Sequence, residues 1–502
     1  LITSYPDKMM LLQNLILDVC GVSIDITCNE PQISTGTFNK ITVSAINRSH
    51  KNVELTKIYL PGVLKSVFMY WDTTLSKNLI PNQMFSYNTY TSLKFMVGDK
   101  QLSQPYWLES MPNGIFHINN QSFIGIPEMG LNNFSEMHLK INKTGVAKIY
   151  NIQYRSVDPE KGELYRPLVI TPPAILTLEN EVIAFGDNNK KQVGVRVRAG
   201  KDSLQAIIKL QIPTGWKSEP AEIRVTLIKK NDEQSVSFEL TPPSTTDVGK
   251  VKAIAEVGGE VYTKSMREIK YNHIPVQTWF PEAEAKLLKL DLVKKSKRIG
   301  YIPGAGDQVA QCLSQVGYEV VTITDDMLNT DDLKSFDAII TGVRAYNTNT
   351  LLTFKKQKLM DYVNQGGNLI VQYNTNSFAG PFKGDMGPKP FKLTRDRVTD
   401  ENATINFALP NHPVLNSPNK ITDKDFEGWV QERGIYFAGD IDSSYACPLF
   451  LNDKNEKPNK GSLIITKHGK GHFIYTGLVF FRELPAGVPG AFRLMVNMIE
   501  LE

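Results

Sequence analysis

The sequence predicts a multidomain protein: two β-sandwiches, the second immunoglobulin-like, followed by an open α/β domain. Three observations carry that expectation. At 502 residues the chain is too long for one hydrophobic core. Up to about residue 270, short alternating apolar runs are punctuated by Gly, Pro and Asn, the rhythm of antiparallel strands. From Arg298 onward, apolar runs alternate with helical periods, which implies a parallel sheet covered on both faces. The turning point is Arg298 to Val309, RIGYIPGAGDQV. There a buried strand over 298–302 breaks at Pro303-Gly304, and Asp307 is placed to cap a helix running through Gln315. Ligands of such sheets sit at the carboxyl ends of the strands, so 303–307 marks the expected site.

Composition narrows the class. A hydrophobic share of 41% with 22% charged residues is that of ordinary globular chains. The net charge of +4 arises from 56 basic and 52 acidic residues mixed along the chain. Without a basic stripe carrying interleaved aromatics, nucleic acid is not an expected partner. No apolar run is long enough for a transmembrane helix. Four cysteines, Cys20, Cys28, Cys312 and Cys447, are scattered without a CxxC pair. They read as buried free thiols, with a Cys20–Cys28 bridge across a turn as the alternative.

In chain order, Asp7 to Val19 reads as an amphipathic helix without the basic start or cleavage site of a signal peptide, so residues 1–22 are expected to be the tail of something upstream. Residues 23–167 form the first sandwich. Ile41 to Ile46 and Val53 to Leu60 alternate about the turn Asn47-Arg-Ser-His50, and Val146 to Tyr154 closes the unit. Its most distinctive run, Gln104-Pro-Tyr-Trp-Leu108, offers Tyr106 and Trp107 as an aromatic edge cluster or as a platform on which a sugar could stack. Residues 168–273 form the second sandwich, with strands expected over 193–197, 206–211, 221–228, 235–240 and 250–257. Trp216 is expected to plug its core. The segment 274–292 reads as a linker, and 274–502 as the last domain. Within it strands are expected over 298–302, 318–323, 336–341, 368–373, 462–466 and 472–476. Helices are expected over 307–316, 351–364 and 487–500, with an irregular insertion over about 375–460. The outline is flavodoxin-like.

Several chemistries are tested by this pattern. Gly304 and Gly306 fall short of a GxGxxG dinucleotide fingerprint because Val309 stands at the third glycine, so no nucleotide cofactor is expected. The seven histidines lack metal-ligand spacing, so no metal is expected; His468 and His472 flank Gly469-Lys470-Gly471, which reads as a solvated hairpin turn. A glutaminase needs a cysteine at a strand-to-helix elbow, expected after 368–373, but Tyr373-Asn374-Thr375 stands there. Cys312 lies inside a helix and Cys447 in the insertion. The strand-end rim still gathers polar groups. Asp307 follows the first strand, Arg344, Tyr346 and Asn347 the third, Gln372 and Asn374 the fourth, and Arg482 the last. Arg395, Asp396, Arg397, Gln431, Glu432 and Arg433 come from the insertion. They read either as a pocket for a polar or anionic ligand or as a salt-bridge network fastening the insertion to the core.

Tyr301-Ile-Pro-Gly-Ala-Gly-Asp307, Gly366-Gly-Asn-Leu-Ile-Val371 and His468-Gly-Lys-Gly-His-Phe-Ile-Tyr-Thr-Gly477 resemble the class I glutamine-amidotransferase-like superfamily, nearest its ThuA-like (trehalose-utilisation) members. The whole order resembles the long carboxyl-terminal region of bacterial PIG-L (LmbE-like) deacetylases. That likeness is carried by Gly342-Val-Arg-Ala-Tyr-Asn347, Val371-Gln-Tyr-Asn-Thr375, Leu393-Thr-Arg-Asp-Arg-Val-Thr-Asp-Glu-Asn402, Gly428-Trp-Val-Gln-Glu-Arg-Gly434 and Leu484-Pro-Ala-Gly-Val-Pro-Gly-Ala491. The middle sandwich is similar to the NPCBM-associated modules found beside sugar-acting enzymes. The resemblance implies an upstream zinc deacetylase domain as partner, an exported, envelope-facing location and a glycan or amino-sugar ligand. It also implies a degenerate active site. The His-Pro-Asp-Asp zinc motif is missing, since His412 is followed by Pro413-Val414-Leu415. Three functions follow as expectations: a non-catalytic accessory region, a ThuA-like sugar-processing or hydrolytic enzyme using Asp307, Arg344 and Glu432, or a structural spacer. Five Asn-X-Ser/Thr sequons, at Asn47, Asn120, Asn133, Asn142 and Asn402, carry no meaning in a bacterium without glycosylation machinery.

Overall fold

A computed structural model describes residues 4–64, 67–92, 102–110, 114–119, 121–125, 134–330, 332–376 and 386–502. Most of the chain is β-sheet, built into several sheets.

The helix Ser4–Val19 begins before the expected Asp7. It inserts Leu17 into the first core, while Leu11, Leu15 and Val19 stay exposed. That core lies between a five-stranded sheet and a four-stranded one. The first runs in the order 162–167, 153–158, 22–28, 38–47, 84–92, and the second 67–78, 53–64, 134–141, 144–151. Alternation does the work: Ile41, Val43 and Ala45 of one sheet face Val53, Leu55, Ile58, Met137 and Leu139 of the other, all nearly fully buried. The expected closing run 146–154 is interrupted at Ile152, where the chain leaves the four-stranded sheet. Gln153–Asp158 then joins the five-stranded sheet beside 22–28 and pairs with Gly162–Pro167. All four cysteines are free thiols, so the Cys20–Cys28 bridge is not formed.

The second unit again pairs two sheets around one core, with Phe185, Val195, Val197, Ile208, Phe238 and Leu287 inside. Trp216 fills this core against Phe185, as expected, and its indole N–H donates to Asp247 at 2.6 Å. The boundary at 273 is corrected. Gln277–Trp279 and Glu284–Lys289 are strands, and 284–289 sits in the middle of the second sandwich, between 182–185 and 247–257. The reading of a linker failed because Lys286 and Lys289 interrupt an otherwise apolar strand. Ala184, Leu288 and Leu290 pack into the core of the last domain, so the two units share an apolar seam.

Lysines pin that seam. The Lys191 ammonium donates to the carbonyls of Ala184 and Gln315, and burial pushes its pKa down to about 8. Lys286 donates to the Ala486 carbonyl at 3.1 Å.

The last domain holds a six-stranded sheet in the order 319–322, 298–302, 338–341, 368–372, 471–476, 463–468. The first five strands are parallel and 463–468 closes the edge as an antiparallel hairpin. Strands 338–341 and 368–372 are buried at every position, which is why they read as continuous apolar runs. The 351–364 helix is broken at Lys355 into Leu351–Phe354 and Lys356–Asn364, and a short helix Asp325–Thr330 was not anticipated. The 468–472 turn is the expected hairpin, exposed at Gly469 and Lys470, although its base is enclosed. A Cβ on Gly469 would lie 2.1 Å from the Asn364 side chain, so the turn is pressed against a helix end, and burial lowers the His472 pKa. Among the described residues, no helix is long and apolar enough to cross a membrane.

The closing helix Pro489–Ile499 lies under the insertion and is buried along most of its length. Its fully buried Asn497 accepts from the Asn419 amide at 2.9 Å and donates to the carbonyls of Val414 (2.9 Å) and Asn419 (2.6 Å). Asn497→Leu keeps the volume but strands three backbone groups. A loss of about 2–4 kcal/mol in unfolding free energy, read by urea denaturation, is expected.

Candidate functional site

The carboxyl ends of the parallel strands are sewn together before they can present anything. Asp307 accepts the Val309 amide at 3.0 Å and the Val343 amide at 2.8 Å, and the Tyr301 hydroxyl donates to it as well. The loop after the first strand is thereby tied to the loop after the third. Asp307 caps the following helix through Val309, although the N-cap position itself falls on Gln308. Gly304 is required here: its missing Cβ would lie 2.1 Å from the Val343 carbonyl oxygen. Burial, with Asp307 alongside, pushes the Tyr301 hydroxyl far above its usual pKa, so it remains a donor.

Most of the expected rim residues are braces. Asn374 is fully buried, accepts the Tyr346 amide at 3.0 Å and donates to the Gln372 carbonyl at 2.8 Å. Asn347 clamps Thr375 in both directions, at 3.1 and 2.8 Å. Gln372 is buried and donates to the Thr341 carbonyl at 3.1 Å, and the Tyr346 side chain is buried among apolar groups. Arg397 grips Glu456 with both arms, at 3.0 and 3.2 Å, within the insertion. Arg433 is buried, donates to the carbonyls of Ala403 and Phe426, and lies over the Trp429 ring. Arg395 is exposed on a turn of the insertion.

Arg344, Glu432 and Arg482 converge elsewhere, around Tyr373. The Tyr373 ring meets Tyr436 edge-on and Phe481 at a tilt, both with centroids 5.4 Å away. Its hydroxyl is pushed up by burial, then by Tyr436 and Glu432, and drawn down by Arg344 and Arg482. Arg482 pairs with Glu432 at 3.3 Å and lies over the Phe481 ring at 5.2 Å. Arg344 is exposed, and among the described residues its guanidinium makes no hydrogen bond or ion pair.

The backbone under this cluster is strained. Arg344 lies between the 338–341 strand and the helix Ala345–Thr348 with φ 58° and ψ 25°, in the left-handed region. Its N–H is fixed to the Tyr373 carbonyl at 2.7 Å. The strand-to-helix elbow is therefore after the third strand, not after 368–373 as expected, and it carries an arginine. Tyr436, a bulky residue seldom found there, also has φ 58°, and its carbonyl is held by the Tyr475 hydroxyl at 2.6 Å. Such strain of order 1–3 kcal/mol persists where surrounding structure enforces it, typically at binding and catalytic positions.

Cys312 is buried, and its pKa is pushed up to about 12 by burial and then by Asp307. Its thiol is therefore a poor nucleophile. No metal-holding group of His, Cys, Asp or Glu is found among the described residues. In the first sandwich, Tyr106 and Trp107 do not make a flat platform. Their rings stand at 87°, 4.8 Å apart, and Tyr106 is buried against Phe123. Burial takes Tyr106 out of the expected platform and leaves Trp107 half-buried as its remaining face.

Sequence reasoning passed over Tyr436, Phe481 and Glu483. The first two sit in locally apolar runs that look like core. Glu483 is fully buried, and both its oxygens accept the Val430 amide, at 3.3 and 3.0 Å. Burial raises its pKa to about 8, against the lowering pull of Val430 and then Arg433. It anchors the loop that carries Glu432.

Neither a family model nor a curated protein matches the sequence. Among solved structures, the chain is similar over 42% of its length to 32% of the cold-adapted β-galactosidase from Rahnella sp. R3, at 13% identity and a TM-score of 0.25. It is similar over 54% to 17% of the Escherichia coli α-2-macroglobulin in its native conformation (7% identity, TM-score 0.18). Salmonella α-2-macroglobulin reacted with methylamine gives 55% and 17% at the same identity and score. Likeness at that level carries no argument about fold or activity.

Glu483 makes stability depend on pH. Its proton is held to about pH 8 in the fold but only to the ordinary value of 4.5 when unfolded. Its contribution is complete in acid and drains away as pH rises through that window. Urea midpoints measured between about pH 5 and pH 8.5 are expected to fall more steeply for the native chain than for Glu483→Gln.

Proposed function

We propose that this chain is a non-catalytic accessory region that binds carbohydrate through the Arg344–Tyr373–Tyr436–Phe481–Arg482 rim of its last domain. In this reading it is the carboxyl-terminal region of a PIG-L (LmbE-like) deacetylase-type protein. The last domain is a degenerate flavodoxin-like, class I glutamine-amidotransferase-like module of the ThuA-like kind, and the sandwiches are spacers for an upstream catalytic domain. An envelope-facing location goes with it.

The observation that carries the reading is the elbow. The position where a hydrolase of this architecture would hold its nucleophile on a strained turn is occupied by an exposed arginine facing tilted aromatic rings. A guanidinium accelerates no acyl transfer by itself, but it grips oxygen-rich ligands, and tyrosine faces receive the C–H side of a sugar ring. The enzyme alternative is left with Glu432 as its rim carboxylate, because Asp307 is taken up by Tyr301, Val309 and Val343.

The test is a calorimetric titration of the chain with a panel of oligosaccharides. Saturable binding is expected, weakened about tenfold or more in Tyr436→Ala. Arg344→Gly separates a ligand residue from a structural one. Glycine relieves the left-handed strain, so stability is expected to hold or rise by up to about 1 kcal/mol while binding is lost. A clear fall in melting temperature with unchanged binding would make Arg344 a structural residue and end the proposal.

A further inference from the structure

We infer that the rim selects a singly charged acidic saccharide, of the uronic-acid type, over neutral and amino sugars. The inference rests on the carbohydrate reading above and names its ligand class.

The charge count at the rim sets the selection. Two guanidiniums, Arg344 and Arg482, and one carboxylate, Glu432, lie around Tyr373. Arg482 and Glu432 are 3.3 Å apart and largely neutralise each other. Arg344 is left as an exposed cation with no partner among the described residues. Among the described residues around Tyr373, Arg344 is thus the cation left without a carboxylate partner. Tyr373 stays neutral because burial raises its pKa. Glu483 beneath the rim is mostly protonated at neutral pH, so it does not offset that charge.

Geometry gives the charge a direction. The elbow fixes the Arg344 backbone by its N–H bond to the Tyr373 carbonyl at 2.7 Å, so the exposed arginine starts from a backbone tied to the residue that carries the ring. A planar carboxylate on a sugar whose ring lies against Tyr373 and Tyr436 meets that fork in the bidentate manner that arginine favours. Glu432 then accepts hydroxyl hydrogens from the same ring, which a neutral or acidic sugar supplies. A phosphate dianion brings a second negative charge next to Glu432 and few donors for it, so the carboxylate is disfavoured as its neighbour. A protonated amino sugar meets the unpaired Arg344 with like charge, and the one carboxylate that would attract it is already paired with Arg482.

The test compares three trisaccharides on the intact chain by calorimetry, at low and at physiological salt: trigalacturonate, its methyl ester, and triglucosamine. Trigalacturonate is expected to bind roughly tenfold or more tightly than its ester, with the gap narrowing as salt rises. Arg344→Gln is expected to close the gap by weakening the acid far more than the ester, with an unaltered melting temperature showing that the fold is intact. Equal binding of acid and ester, tighter binding of triglucosamine, or displacement of trigalacturonate by inorganic phosphate at equal concentration would each overturn this inference while leaving carbohydrate binding in place. Absence of binding by all three would overturn the carbohydrate reading as well.

Discussion

The rim depends first on the Asp307 carboxylate. Parallel strands end side by side with their next backbone groups unpaired, and loops leaving them at one edge have no ladder to hold them. Asp307 supplies the missing acceptor three times over, for the Tyr301 hydroxyl and for the amides of Val309 and Val343. That fixes where the third strand must turn. Three residues, Gly342 to Arg344, join that strand to the short helix, and the last of them, Arg344, falls in the left-handed region. The arginine's position is thus a consequence of a hydrogen-bond requirement at the neighbouring strand.

Above this edge the insertion forms only short two-stranded ribbons of its own and is held by apolar packing into the domain core and by buried polar contacts. Its strands are two or three residues long. Arg433 and Glu483 are both buried, and both are displaced toward their neutral forms by burial. Their mutual attraction offsets part of that penalty, and backbone partners offset more: Val430 for Glu483, Ala403 and Phe426 for Arg433. The pair contributes less to net stability than its contacts suggest. What it fixes is the register of the loop that puts Glu432 beside Arg482.

Periodicity made the architecture readable and left the rim obscure. Alternation at 41–46 and 53–60, and unbroken apolar runs at 338–341 and 368–372, report burial of one face or of two, which residue type alone reveals. The strand at 284–289 escaped because two of its positions are lysines. The Lys286 ammonium reaches the Ala486 carbonyl across the domain seam, and the buried Lys289 donates to the neighbouring Leu290 carbonyl. The rim was half visible. Polar residues after strand ends were recognisable, but which of them brace and which face outward depends on partners far off in the chain. Asn374 and Arg344 follow strands in the same way, yet one is enclosed by backbone and the other is exposed. Tyr436 was hidden for a different reason, since Ile435-Tyr436-Phe437 looks like a core strand until φ at Tyr436 turns positive.

That reversal at Tyr436 links stability to recognition. A left-handed tyrosine is held only because Tyr475, on the last strand and wholly buried, captures its carbonyl, and because Gly434 and Gly477 let the segment lie against that strand's end. Gly434 has space for no Cβ, since one would meet the Gly477 carbonyl oxygen at 2.4 Å. The interior therefore enforces two unfavourable backbone conformations, at Arg344 and Tyr436, and both present a large side chain at the Tyr373 spot. A surface selected for stability alone would place glycine or asparagine at each. Strain kept at two sites from different parts of the chain, converging on one aromatic ring, is the feature on which the proposed binding role rests.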